Sequence, residues 1–334
     1  MALTVAVGLL VASCGKGEDA QTQGGGSCYE GENVSFVVAY GPGGGFDIIA
    51  REAAPYLNEE LGATVVVENQ DGAGGLTAAN SIYTAKPDGL TFGFFSGQGL
   101  TGAVLGKSAG AQFDIEKFTY IARLSEDDRV MVTGPDNPAQ TIEEMQEAHG
   151  LKFASAGPGG SDHVDATVLI PVLDLDAQIV TGYKGSEETG LALTSGDADL
   201  ASGTVSSRMQ SMKNGDLAPV LIIAKDRNEA FPDVPALLEL DLDDEERALA
   251  EAHTLLQSTG FVLLGPPGVP EECTAELQDA FKATAANPDF KAAMKDAYYT
   301  IEYTSGEDLK KVVDSALQAP EEYRKLLEQA YENQ

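Results

Sequence analysis

The sequence predicts an α/β protein of two lobes, each a mainly parallel sheet flanked by helices, with two strands crossing between them as a hinge. Three observations carry that prediction. Short apolar runs alternate with helical patterns, as in chains of βα units. Three of the strand-to-helix junctions are glycine-rich loops, at 41–45, 72–75 and 155–161. A length of 334 residues with 43% hydrophobic content suits two folded domains of ordinary size.

The first unit sets the pattern. The apolar run Phe36–Val38 stops at Gly41-Pro42-Gly43-Gly44-Gly45, and a helical pattern starts at Phe46–Asp47. Ile48, Ile49, Ala53, Tyr56, Leu57 and Leu61 fall on roughly one face. Strand, glycine loop and helix bring exposed N–H groups and a helix N-terminus together on an anion. Asp47 falls at the N-cap or in the first turn, where a carboxylate is favoured. The loop lacks the Lys-Ser/Thr ending of a P-loop, and Phe46 stands where a dinucleotide loop needs its third glycine. Read alone, it is equally a tight turn with no ligand. A second unit repeats the idea: Thr64–Glu68 reads as a buried strand, then Asn69–Gly75 as a loop, then Leu76–Tyr83 as a helix of small residues. In a parallel sheet both loops lie at the carboxyl edge, where open α/β sheets bind ligands.

Seven segments then add a resemblance. They are VVAYGPGGGFDIIAR at 37–51, VVVENQDGAGG at 65–75, KPDGLTFGF at 86–94, FASAGPGGSDHV at 153–164, YKGSEETGLALTSGDADL at 183–200, FPDVPALLEL at 231–240 and LLGPPGVPEE at 263–272. In this order and spacing the chain resembles the substrate-binding proteins of tripartite tricarboxylate transporters, the Bug or TctC-like family of extracytoplasmic solute receptors. The resemblance runs from about residue 33 to the end. It implies a type II periplasmic-binding-protein fold that captures a di- or tricarboxylate, or a related organic acid, without a cofactor. The implied partners are that ligand and the membrane subunits of a transporter. One ligand carboxylate is implied to sit on Gly43, Gly44, Gly45, Phe46 and Asp47 and on Gly74, Gly75 and Leu76. The facing lobe is implied to add Ser155, Gly157, Ser161, Tyr183 and Thr204, and Tyr40 and Ser96 complete the candidate set. Phe46 replaces a small hydroxyl residue common among relatives, and Gln70-Asp71 replaces a common Arg-Pro, so the approach is less basic here. Neutral and monoanionic ligands therefore stay open.

Further along, Leu90–Phe95 reads as a strand, and Ser96-Gly97-Gln98-Gly99 after it is either a donor loop at the same edge or a plain loop. Tyr120–Leu124 and Val130–Thr133 follow as strands, and the break at Gly134–Pro138 is read as the first crossover. The first lobe then comprises 33–133 plus 259–334, and the second 134–258. Thr141 and Glu144 form a capping box. Lys152–Ala154 leads into the third glycine loop and the helix Asp162–Leu173; Ile179–Tyr183 leads to a fourth junction at Lys184-Gly185-Ser186. Asp197–Ser202 and Pro219–Ala224 read as strands, and the acidic run Glu239–Glu251 as a solvated helix face. Gly260–Leu264 returns to the first lobe, which the helices through Leu309–Tyr331 complete. There the resemblance brings the segment after Pro266-Pro267-Gly268 back onto the first lobe, where Cys273 would meet Cys28; two unrelated thiols is the other reading, and spacing does not choose.

A formal charge of −32 argues against nucleic acid and anionic membrane surfaces as partners. It also repels an anionic ligand at long range, so an anion site here must act through local N–H groups and dipoles. The surplus fits either a high-salt habitat or an ordinary acidic extracellular protein. Ala2–Ala12 is apolar but too short to span a bilayer. It ends in Val11-Ala12-Ser13-Cys14, which resembles a bacterial lipoprotein box. We therefore expect a signal at 1–13, lipidation of Cys14, a flexible tether over 14–32 and a monomer anchored outside the cytoplasmic membrane; an ordinary cleaved signal is the alternative.

Nothing catalytic stands out. His149 and His253 read as surface residues in helical stretches. His163 lies between Asp162 and Asp165, but these positions do not share a helix face, so no metal is expected. No Gly-x-Ser-x-Gly, His-Glu-x-x-His or Cys-x-x-Cys occurs. A receptor is the first reading. A lipoprotein sensing ligand for a signalling partner, or a receptor for a non-carboxylate solute, is the alternative.

Overall fold

The computed structural model describes residues 27–332. The chain opens with β1 (Asn33–Val38), α1 (Gly45–Leu61), β2 (Thr64–Asn69), α2 (Leu76–Tyr83), β3 (Thr91–Ser96), α3 (Gly97–Leu105) and β4 (Thr119–Ser125). It crosses to β5 (Arg129–Thr133), α4 (Ile142–Glu147), β6 (Leu151–Ala154), α5 (Ser161–Val172), β7 (Ala177–Val180), α6 (Ser186–Ser195), β8 (Leu200–Thr204), α7 (Val205–Asn214), β9 (Ala218–Ile223) and α8 (Asp244–Gln257). It returns through β10 (Phe261–Gly265) to α9 (Glu271–Ala286), α10 (Pro288–Asp296), β11 (Thr304–Ser305), α11 (Gly306–Ala316) and α12 (Glu321–Glu332).

Two sheets result, in strand order β11-β4-β10-β3-β1-β2 and β7-β6-β8-β5-β9. Both are mixed. The βα units supply the parallel pairs, β1 with β2 and β3, and β6 with β7 and β8. Apart from β11 with β4, the antiparallel pairs surround the strands that arrive from the other lobe: β10 lies between β3 and β4, and β5 between β8 and β9. A strand entering from the opposite lobe runs against its new neighbours.

Sheet membership moves the first crossover. Arg129–Thr133 pairs only within the second sheet, so the chain leaves the first lobe at Glu126–Asp128 and not at residue 134. The edge position of β2 corrects a second expectation: of its valines only Val65 is buried, and Val66 is exposed. In α1 the covered stripe is Ile49, Ala53, Leu57 and Leu61, while Ile48 is exposed. Ser96–Gly99 is no loop; it opens α3, with the Ser96 hydroxyl accepting the Gly99 N–H at 3.1 Å.

The last residues of the expected tether are folded. Cys28 and Cys273 are joined as a disulfide, and Tyr29 is fully buried with its hydroxyl donating to the Cys273 carbonyl at 2.9 Å. Residues 28–32 therefore belong to the first lobe. Cys14 and the proposed leader lie outside the described residues. Among the described residues no helix is long and apolar enough to cross a membrane.

Each lobe has its own core, around Phe36, Phe92 and Phe281 in the first and Val132, Ala201 and Ile222 in the second. A third core runs across the junction, from Leu76 and Leu100 through Val164 and Leu169 to Tyr323 and Leu327. It forms because α12 packs on α3, α5 and α8 at once. The last helix thus does more than complete the first lobe: it clamps the two together.

Candidate functional site

Between the lobes, where β1, β6, β7 and β8 end, lies a cavity of about 290 Å³. Its wall is built largely from helix starts. Residues at the N-termini of α1, α5, α6 and α7 line it. Three of these helices, α1, α5 and α6, have glycine N-caps (Gly44, Gly160 and Gly185) and no side chain capping them. Elsewhere Ser96, Thr141, Asp243, Asn287 and Ser305 do that work. Among the described residues no acceptor meets the N–H groups of Gly45, Phe46, Ser186 or Glu187. Unsatisfied N–H groups at the positive ends of helix dipoles favour an anion.

Arg129 adds a charge to that wall. It opens β5, is almost fully buried and lines the cavity. Its Nε donates to Asp165 Oδ2 at 2.6 Å and its Nη2 to Ser202 Oγ at 3.2 Å, while Nη1 has no partner among the described residues. Asp165 gathers three more donors: Ser202 Oγ (2.5 Å), Gln98 Nε2 (2.7 Å) and His253 Nε2 (3.0 Å). Burial works against this carboxylate, but Arg129 and His253 outweigh it and hold it well below the usual range. His253 Nδ1 lies 3.0 Å from the Tyr323 hydroxyl of α12. A ring carrying its proton on Nε2 satisfies both contacts. His253 is fully buried, contrary to the surface position expected, because α8 lies beneath α12.

Asp162, in the first turn of α5, also lines the cavity. Its carboxylate accepts the N–H groups of Ala156 (2.7 Å) and His163 (2.9 Å), and burial pushes it up to about 6. His163 turns inward, with Nδ1 3.3 Å from Ser155 Oγ and its ring against Tyr331; burial pushes it down to about 4. Asp162, His163 and Asp165 thus diverge, and the described residues contain no cluster suited to a metal ion.

Of the expected site residues, Tyr40, Gly44, Gly45, Phe46, Ser161 and Thr204 line the cavity. Phe46 stacks on Phe261 and lies tilted against Tyr40, with ring centroids 4.2 and 4.5 Å away. The Thr204 hydroxyl accepts the Ser207 N–H as the N-cap of α7. The others are engaged elsewhere. Gly43 donates its N–H to Asp47, whose carboxylate also takes Arg51 and Asn69 inside the lobe. Ser96 caps α3, and Ser155 Oγ accepts the Gly157 N–H. Tyr183 packs on the second-lobe core.

The second glycine loop is the largest correction. Gly74, Gly75 and Leu76 are buried and do not line the cavity. They face the third glycine loop directly: Gly159 donates to the Ala73 carbonyl at 3.0 Å, and Gly157 backs onto Ala73 and Gly74. Two of the three glycine loops form an interlobe joint. Sequence reading missed Arg129, Asp162, Ser202, Phe261 and the Lys184–Glu188 turn as wall residues. The glycine junction at Lys184-Gly185-Ser186 was a usable signal; an arginine opening an apolar strand was a weaker one.

Two α/β lobes, a pair of crossing segments and a cavity walled by helix N-termini define a two-lobed solute-binding protein. A family model described as the tripartite tricarboxylate transporter family receptor matches residues 49–325, and the chain belongs to that family. It is a family of transport receptors rather than enzymes. A UPF0065 protein of Bordetella pertussis is 28% identical over 262 residues, 77% of either chain. The periplasmic binding protein BugD is 23% identical with a TM-score of 0.77, covering 90% of this chain and 98% of that one. MatC of Rhodopseudomonas palustris, solved with malate, is 23% identical with a TM-score of 0.76, covering 89% and 99%. At these identities the two structures speak for the fold.

Proposed function

We propose that the protein captures a small organic acid in the interlobe cavity and presents it to the membrane subunits of a tripartite tricarboxylate-type transporter. The observation that carries this reading is the convergence of three uncapped helix N-termini and the open Nη1 of Arg129 on one cavity. Each would supply donors to a carboxylate without a mobile side chain having to be ordered. The malate bound by MatC supports the same class of ligand. Export and anchoring through Cys14 would place the receptor outside the membrane, where such a ligand is met. Parting of the lobes about the crossing segments 126–128 and 258–260 would widen the way into the cavity.

The test is a thermal-shift screen of the chain from Ser27, at low and high salt, with mono-, di- and tricarboxylates and amino acids. A ligand at a hundred times its dissociation constant adds about 2.7 kcal/mol. At least one acid should raise the melting temperature, and Gly44→Val should weaken its binding. A flat response to every acid in both salts would remove the carboxylate reading.

A further inference from the structure

Resting on that reading, we infer that the preferred ligand is a small zwitterion, an acid that also carries an ammonium group. Its carboxylate would meet Arg129 and the N-termini of α1 and α6. Its cation would meet Asp162 and the aromatic wall of Tyr40, Phe46 and Phe261. Two charges of opposite sign line one cavity without pairing with each other, Arg129 buried and Asp162 half-buried. Arg129, which lines the cavity, pairs with Asp165 through Nε, and its Nη1 has no hydrogen-bond partner among the described residues. Asp162 feels the field of Arg129 but forms no ion pair with it or with any other cation among the described residues. Its oxygens take one backbone N–H each, which leaves acceptor capacity on both.

The rest of the wall agrees. Glu187 and Glu188 also line the cavity; Lys184 reaches toward Asp71 at 3.7 Å, while buried Arg208, donating to the Ser186 carbonyl, acts on both Asp162 and Glu187. A dianion placed with one carboxylate on Arg129 would bring its second charge toward Asp162. A monocarboxylate without a cation would cover the half-buried Asp162 and leave it unpaired, the costly arrangement for a carboxylate. A zwitterion answers both charges. The packed rings of Tyr40, Phe46 and Phe261 offer the kind of surface on which ammonium groups are held.

The experiment compares molecules of one shape that differ by the positive charge: alanine with isobutyrate, glutamate with methylglutarate, trimethylglycine with tert-butylacetate. Calorimetric titration of the wild-type chain should show, in at least one pair, the zwitterion binding about tenfold or more tighter. Asp162→Asn should shrink that preference by a similar factor. If the uncharged partners bind as tightly or tighter in every pair that binds, the inference falls while the carboxylate reading stands, and Asp162 serves only the first turn of α5. If a zwitterion is preferred but Asp162→Asn leaves the preference intact, the assignment to Asp162 is wrong. If no member of any pair binds, the zwitterion inference falls, and the carboxylate reading falls with it only where the wider acid screen is flat as well.

Discussion

The glycine loops at 41–45 and 72–75 have the same grammar and opposite fates. The first holds Gly44 and Gly45 open to the cavity, and a Cβ on Gly44 would meet only the Gly41 carbonyl at 3.7 Å. The second is closed: a Cβ on Gly74 would lie 2.3 Å from the Gly160 nitrogen and 2.4 Å from the Gly157 carbonyl. Gly74 also has φ +67°, a conformation that L side chains rarely adopt. A glycine can let a ligand approach the backbone or let another backbone approach it. Only its surroundings distinguish the two.

The comparison can be broken most forcefully beneath the joint. Asp165→Ala should destabilise the fold by about 3–5 kcal/mol, because Arg129 is then buried without its carboxylate; chemical denaturation reads this. Gly74→Val should cost about 2–4 kcal/mol from the clash and the backbone conformation together. It should also enlarge the radius of gyration in solution scattering as the lobes are held apart. If Gly74→Val leaves both unchanged, the 72–75 loop is no joint.

A smaller effect sharpens the electrostatic side. Asp162 has its carboxyl raised from 3.8 to about 6, so its contribution to stability is full below the lower value and lost as pH rises through the higher one. Asp165 is shifted the other way, so its contribution is present at neutral pH and lost as pH falls toward its depressed value. Asp162→Asn should therefore gain on the wild type between pH 4 and pH 7, by on the order of 1–3 kcal/mol. A constant difference across that range would mean that Asp162 is not desolvated. Smallest in stability is Gly44→Val, expected to change the fold by about 0.5 kcal/mol or less. Its effect should appear instead as roughly tenfold weaker ligand binding, with α1's N-terminus shielded.

Much of the scaffold was legible because it is decided locally. Helix α2 spans Leu76–Tyr83 as its small-residue pattern indicates, and the capping box of Thr141 and Glu144 is present around α4. The candidate site was legible only in part. Phe46 and Ser161 were reached through the family resemblance, and both line the cavity at helix starts beside glycine loops. Arg129 was not, since an arginine at the head of RVMVT looks like an edge residue until Asp165, 36 positions on, is brought to it. His253 misled for the same reason: its helix begins Asp244-Glu245-Glu246, a solvent-facing signature, yet its ring lies against Asp165 and Tyr323.

By itself the sequence determined the βα units, their glycine junctions, the caps and the family to which their order belongs. These depend on propensity, periodicity and backbone freedom within a few residues. Tertiary structure alone decided which glycine loops line the cavity and which join the lobes, where the first crossover falls, and which charges share a wall. Those outcomes depend on what is packed against a residue from elsewhere in the chain, and the same glycine, arginine or histidine acquires a different role with each neighbour.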